Sequence, residues 1–137
     1  MSLNLPPEKE PALYILMRSD LESLNPGKMV AQGAHAANQF VAKLSKDHSI
    51  YPLYEQWRTS TPDGFGVTLC LDVTGEELPL VVRAAQSCGF AAGVTHDPSY
   101  PIRDGGVTHS LPLDTCGYVF GNKPDLGILL GQFDLLK

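Results

Sequence analysis

The stretch that most limits what this chain can become is Asn25 to Leu44, NPGKMVAQGAHAANQFVAKL, entered from a strand-like run, Leu13 to Asp20. An Asn can cap free backbone N–H groups, and a Pro in the first helical position gives up an N–H that has no partner there anyway. Asn25-Pro26 therefore predicts a helix start. At about 100° per residue, Met29, Val30, Gly33, Ala37, Phe40, Val41 and Leu44 fall on one arc, the expected core-facing stripe. Lys28, Gln32, His35 and Gln39 fall on the other side.

That polar row reads either as a solvated face or as a site. Periodicity alone gives the solvated face, and two details weaken that reading. Lys28 sits in the first turn, where the helix dipole is already positive and Asp or Glu would be the structural choice. Ala31, Ala36 and Ala42 flank the row and leave room for another backbone or a ligand. A helix start with free N–H groups and a lysine suits a phosphate, a carboxylate or a developing oxyanion.

Length and composition narrow the class. The 137 residues suffice for one domain with a core of its own. Cys70, Cys88 and Cys116 are widely spaced and include no CxxC pair, which speaks against a disulfide framework or a structural zinc site. With 10 Lys+Arg against 15 Asp+Glu, the formal net charge is −5, which disfavours broad non-specific nucleic-acid binding but not a local basic patch. No apolar run is long enough to span a bilayer and no signal-peptide pattern is present, so a cytoplasmic protein is expected, without membrane attachment.

In chain order, residues 1–10 carry Pro6 and Pro7 and read as a flexible tail ahead of a domain over 11–137. Ala12 to Arg18 is continuously apolar, like a strand covered on both faces. Tyr51 to Arg58 reads as a short helix laying Leu53, Tyr54 and Trp57 on the core. Val67 to Val73 alternates as a strand with one core face. Thr74 and Glu77 have capping-box spacing, with Pro79 pushing the regular helix towards Leu78, and Gly89 ends it. Ala91 to His96 and Gly117 to Gly121 are the third and fourth strands. Asp97 to Thr115, rich in Pro and Gly, is expected to be a long irregular segment, and Phe133 to Leu136 an edge-pairing end. The order predicts a single α/β domain with a small mixed sheet between helices, and Lys28 and Asp97 both follow strands, where such folds gather ligands.

Arg18-Ser19-Asp20-Leu21, Gly27-Lys28 and Ala31-Gln32-Gly33-Ala34-His35-Ala36 together resemble the opening of the type 2 peptidyl-tRNA hydrolases. The likeness continues through Trp57, Gly89-Phe90, Gly93-Val94-Thr95-His96-Asp97, Gly121 and Gly131-Gln132-Phe133-Asp134-Leu135. It implies a mixed four-stranded sheet flanked by helices, a dimer in many members, and hydrolysis, with no cofactor, of the ester joining a peptide to the terminal ribose of tRNA. By this resemblance Lys28, His35 and Asp97 would be catalytic, with Thr115 as a hydroxyl contact. The sequence departs after Asp97, where Pro98-Ser99-Tyr100-Pro101 stands in place of the family's Ala-Gly and threonine. The family's second threonine falls on Thr115 or on Cys116. An alternative register puts Asp104-Gly105-Gly106 and Thr108 on the Asp-x-Gly and threonine, at the cost of the strand match at His96-Asp97.

Arg18, Gln32, Arg58 and Arg103 are the expected substrate contacts, a thin basic set on an acidic chain. Blander readings stand beside these: Asp97 as a turn residue before Pro98, His35 as a surface histidine, Cys116 as an inert strand thiol, Tyr100 as a lid or packing residue. His35, His96, His109 and Asp97 lack any short metal-ligand spacing, so no metal is expected. A non-enzymatic binding module on the same fold, taking tRNA, a nucleotide or a protein, is the competing function.

Overall fold

The computed structural model describes residues 8–137. The expected tail therefore lies outside the described residues over 1–7, while Glu10 is held at both backbone atoms. Its N–H donates to Asn122 Oδ1 at 2.7 Å, and its carbonyl accepts from the Lys123 N–H at 2.8 Å.

The elements are β1 (Pro11–Arg18), α1 (Pro26–Lys43), α2 (Tyr51–Arg58), β2 (Thr68–Val73), α3 (Glu77–Ser87), β3 (Ala91–Asp104), β4 (Val107–Asn122) and α4 (Lys123–Leu130). They form one four-stranded mixed sheet in the order β2-β1-β4-β3, β1 pairing parallel to β2 and antiparallel to β4. The α/β class expected from the sequence is the one observed. β1 is central and buried along both faces, as its unbroken apolar run requires. Leu13, Ile15 and Met17 point to α1 and α2, whereas Ala12, Tyr14 and Leu16 join the core under α3 and α4. β2 also has cover on both faces, with Leu69, Leu71 and Val73 in the second core and Cys70 against the first.

Local chemistry sets the helix boundaries. Asn25 Oδ1 accepts from the Lys28 N–H at 3.0 Å, and Pro26 opens α1. α3 begins with a reciprocal capping box: Thr74 N–H to Glu77 Oε1 at 2.8 Å and Glu77 N–H to Thr74 Oγ1 at 3.1 Å. Pro79 is tolerated because it sits in the first turn. The chain end pairs with β2 as expected, through Asp72 N–H to Asp134 O and Leu136 N–H to Cys70 O, both 2.9 Å.

Three expectations are corrected. The buried line of α1 runs through Gln32, Ala36 and Phe40, so the predicted stripe is rotated, and Val30 and Val41 are 75% and 50% exposed. Summed hydropathy cannot see that a buried Gln has partners waiting on the sheet; Phe40 fixes the orientation, stacked on Phe120 at 4.9 Å and edge-on to Tyr54 and Trp57. Second, Asp97 to Thr115 is no irregular loop: β3 and β4 continue as a two-stranded ribbon to a tight turn at Gly105-Gly106, where Gly105 has φ 60°. Pro98 and Pro101 hid this strand, but β3 lies at the sheet edge, where a missing donor is tolerated. Third, Asp97 consequently lies within β3 rather than at its end.

The rotated stripe has a direct test in chemical unfolding. Phe40→Ala should cost about 3–5 kcal/mol, as for other aromatic core truncations, whereas Val30→Ala should stay within about 0.5 kcal/mol. Equal losses would mean that the helix faces the way its hydropathy alone suggests.

Candidate functional site

Two register shifts in the β3–β4 ladder build the site. As β3 steps from Thr95 to His96, its partner steps from Cys116 to Asp114, so Thr115 is an extra residue on β4. As β3 goes from Asp97 to Tyr100, β4 moves only from Leu113 to Leu111, so the extra residue is now on β3. Side chains on a regular strand alternate between faces, and each bulge breaks that alternation once. Thr115 and Cys116 can therefore both reach α1, as can Asp97 and Tyr100, three residues apart.

Gln32 is what they meet. It is only 4% exposed, and its amide is used at both ends: Nε2 donates to Asp97 Oδ2 and Oε1 accepts from Thr115 Oγ1, each at 2.7 Å. The Cys116 thiol donates to the Gln32 carbonyl at 3.3 Å. Asp97 Oδ1 accepts the Ser99 N–H at 2.9 Å, inside the second bulge. The Gln32 donor above all, then the Ser99 N–H, and more weakly the His35 and His96 charges, hold the Asp97 carboxyl below its ordinary value of 3.8. A carboxylate held this way is a poor proton acceptor but a well-aimed hydrogen-bond acceptor.

Lys28 lies one turn before Gln32. Its Nζ donates to the Pro101 carbonyl at 2.7 Å and sits 5.0 Å from the centre of the Tyr100 ring. His35 is exposed, on the next turn. Lys28, Gln32, Asp97 and Thr115 thus belong to one α1–ribbon face. Thr115 is buried and spends its hydroxyl on Gln32, and Gln32 itself faces inward. Burial pushes the Cys116 thiol up, and the Thr115 and Thr95 hydroxyls only partly offset this.

The remaining candidates lie elsewhere. Arg18 pairs with Asp20 at 2.9 Å and donates to the Asp114 carbonyl at 3.1 Å. Arg58, exposed at the end of α2, is 3.9 Å from Glu55. Arg103 and Thr108 face each other on the ribbon, and Asp104 near its tip is 3.9 Å from His109. Ser23, whose hydroxyl lies 3.1 Å from the Tyr100 hydroxyl, and Asp114, 2.7 Å from His96, carry no pattern in the sequence that would single them out. An open hollow of about 390 Å³ beside Lys9, Gln56 and Phe90 is at the opposite end of β1, where Asn122 donates to Asp125 and Gln56 to the Lys9 carbonyl. Among the described residues, no three His, Cys, Asp or Glu side chains gather in a way that could hold a metal, and no helix is long and apolar enough to cross a membrane.

Gln32→Met keeps the volume but orphans the Thr115 hydroxyl, and should cost about 1–3 kcal/mol at neutral pH. Adding Thr115→Val should recover part of that, because no buried donor is then left over. Because Asp97 is depressed on folding, its charge-dependent share of the loss is present above the ordinary carboxylate value and disappears as pH falls through the lower folded one. The gap between wild type and Gln32→Met, measured by urea unfolding, should therefore narrow on acidification; a gap independent of pH would contradict the Gln32–Asp97 link.

Comparison with known proteins bears on what this face is for. No curated protein matches the chain significantly. The family profile described as Peptidyl-tRNA hydrolase PTH2 matches residues 12–109, more than half of the chain, taking in Lys28, Gln32, His35, Asp97 and the ribbon turn and ending before Thr115. With the mixed four-stranded sheet between helices, that match establishes that the chain belongs to the peptidyl-tRNA hydrolase PTH2 family.

Proposed function

We propose that this chain hydrolyses the ester between a peptide, or an N-blocked amino acid, and the terminal ribose of tRNA, releasing free acid and free tRNA. The observation that carries the reading is the fixed carboxylate of Asp97, held by Gln32 on the same helix face as Lys28, within the family match. Hydrolysis needs a placed water, stabilisation of a tetrahedral oxyanion and a proton for the leaving ribose oxygen.

In this reading Asp97 orients the attacking water. Its lowered pKa suits aiming better than proton abstraction. Lys28, at the positive end of α1, offsets charge on the oxyanion or on the terminal phosphate. His35, exposed and close enough for its charge to act on Asp97, relays the proton from the water to the leaving oxygen. Gln32 and Thr115 act from behind, by holding Asp97 in place, and Cys116 serves as packing. Among the described residues Arg103 has no acidic partner and is open to a phosphate, whereas Arg18 and Arg58 already face Asp20 and Glu55. With so few cations on an acidic chain, tRNA affinity should be modest and its fall with salt shallow, because the slope scales with the number of phosphates neutralised. The protein works in the cytoplasm, where its substrate arises, and a homodimer fits the family.

The competing reading, a binding module without catalysis, draws on the engagement of Lys28 by the Pro101 carbonyl. A peptide-release assay on peptidyl-tRNA separates the two. Wild type should release peptide, and Asp97→Asn and Lys28→Ala should each lower turnover about tenfold or more while both variants still unfold cooperatively. Binding of uncharged tRNA without release would replace hydrolysis by the binding function, and wild-type rates in both variants would remove these roles.

A further inference from the structure

We propose that Tyr100, with the Pro101 carbonyl, is a positioning residue that clamps the Lys28 ammonium; the proposal rests on the hydrolase reading for its consequence in turnover. The geometry starts from the second bulge. On a regular strand Tyr100, three residues after Asp97, would face away from α1 when Asp97 faces it. The bulge at Pro98-Ser99 absorbs one residue, so Tyr100 turns towards the helix and is completely buried, its hydroxyl 3.1 Å from the Ser23 hydroxyl in the turn leading to Asn25. The ring is thereby held on one side by the strand and on the other by the helix entrance.

Lys28 Nζ lies 5.0 Å from that ring and donates to the Pro101 carbonyl at 2.7 Å. An ammonium on a four-carbon stem otherwise samples many rotamers. Here one N–H is spent on a carbonyl and the aromatic face attracts the charge, leaving donors free for an incoming anion. The clamp has a second effect. Lys28 and Asp97 carry opposite charges on the same face, yet among the described residues they form no ion pair. Drawn towards Tyr100 and Pro101, the lysine leaves the Asp97 charge available for water and keeps its own for the oxyanion.

The test has one readout on the free protein and one on turnover. In the NMR spectrum of the substrate-free chain, the Lys28 ε-methylene protons, assigned by Lys28→Arg, should be shifted upfield by the Tyr100 ring. The shift should persist in Tyr100→Phe and vanish in Tyr100→Leu. In peptide release, Tyr100→Leu should lower kcat about threefold to thirtyfold, the span of a cation–π contact, with KM little changed, and Tyr100→Phe should restore most of it. Tyr100 is buried, so the leucine variant is paired with phenylalanines of increasing ring fluorination at position 100. These keep the shape while weakening the ring's attraction for a cation, and kcat should fall stepwise with each fluorine. Lys28 ε protons at an ordinary shift in wild type overturn the clamp whether or not the chain is active. An upfield shift with kcat indifferent to fluorination overturns its part in turnover. An inactive wild type that keeps the shift overturns the hydrolase reading, and with it the role of Tyr100 in catalysis, while the clamp itself stands.

Discussion

The buried amide of Gln32 is the interaction on which the site depends. An amide in the interior is costly unless its donor and acceptor are both used. Here the two ends are used by different strands: Asp97 on β3 takes the N–H, and Thr115 on β4 supplies the O–H. One side chain of α1 thereby locks the helix to the ribbon and orients a carboxylate at the surface. Its cost of burial is offset by Asp97, which shares a face of β3 with Thr95, and by Thr115, which reaches α1 only because β4 is bulged there. Straighten the bulge at Thr115 and the acceptor end of the amide loses its partner.

The bulges also explain why the site lies at one end of the molecule. The aromatic contacts of Phe40 anchor the C-terminal half of α1 over Tyr54, Trp57 and Phe120, a dry core that polar side chains could not share. The N-terminal half crosses the strands where their pairing is irregular, and there the helix presents Lys28, Gln32 and His35. Rigid packing at one end thus supports a polar, hydrogen-bonded site at the other. β1 and β4, the two central strands, back the site as far as Cys116, while Asp97 and Tyr100 stand on the edge strand β3 and are tied in by Gln32 and Ser23.

Much of this was legible in the residues. The Asn25-Pro26 cap, the Thr74–Glu77 box and the apolar run of β1 each follow from local chemistry that needs no knowledge of the rest, and the apolar end at Phe133 to Leu136 marked an edge-pairing segment without its partner strand. Lys28 was singled out because a cation is unexpected in a first helical turn, whereas Asp97 was singled out as following a strand and lies inside one. The ribbon was not legible: Pro98, Pro101 and Pro112 break the period-two pattern, and exposed residues on both faces of its outer part remove the hydropathy signal. Nor was the rotation of α1, since pattern reading assigns a glutamine to solvent and cannot foresee a carboxylate and a hydroxyl waiting beneath it. Gln32 and Thr115 were read as groups that meet the substrate; that the Thr115 hydroxyl bonds the Gln32 amide, which in turn holds Asp97, emerges only when the bulge at Thr115 is known.

The most direct test of the central claim, that the α1–ribbon face is where the ester is handled, is to map a bound substrate mimic. A short RNA hairpin carrying an N-acetylated amino acid on its terminal ribose through an amide cannot be hydrolysed, and its titration can be followed in proton–nitrogen spectra. The account predicts that the largest changes fall on the Gln32 side-chain amide, the Ser99 N–H and the Lys28 and His35 backbone signals. Saturable changes confined to the hollow around Lys9, Gln56 and Phe90, with the Gln32 amide unmoved, would contradict it.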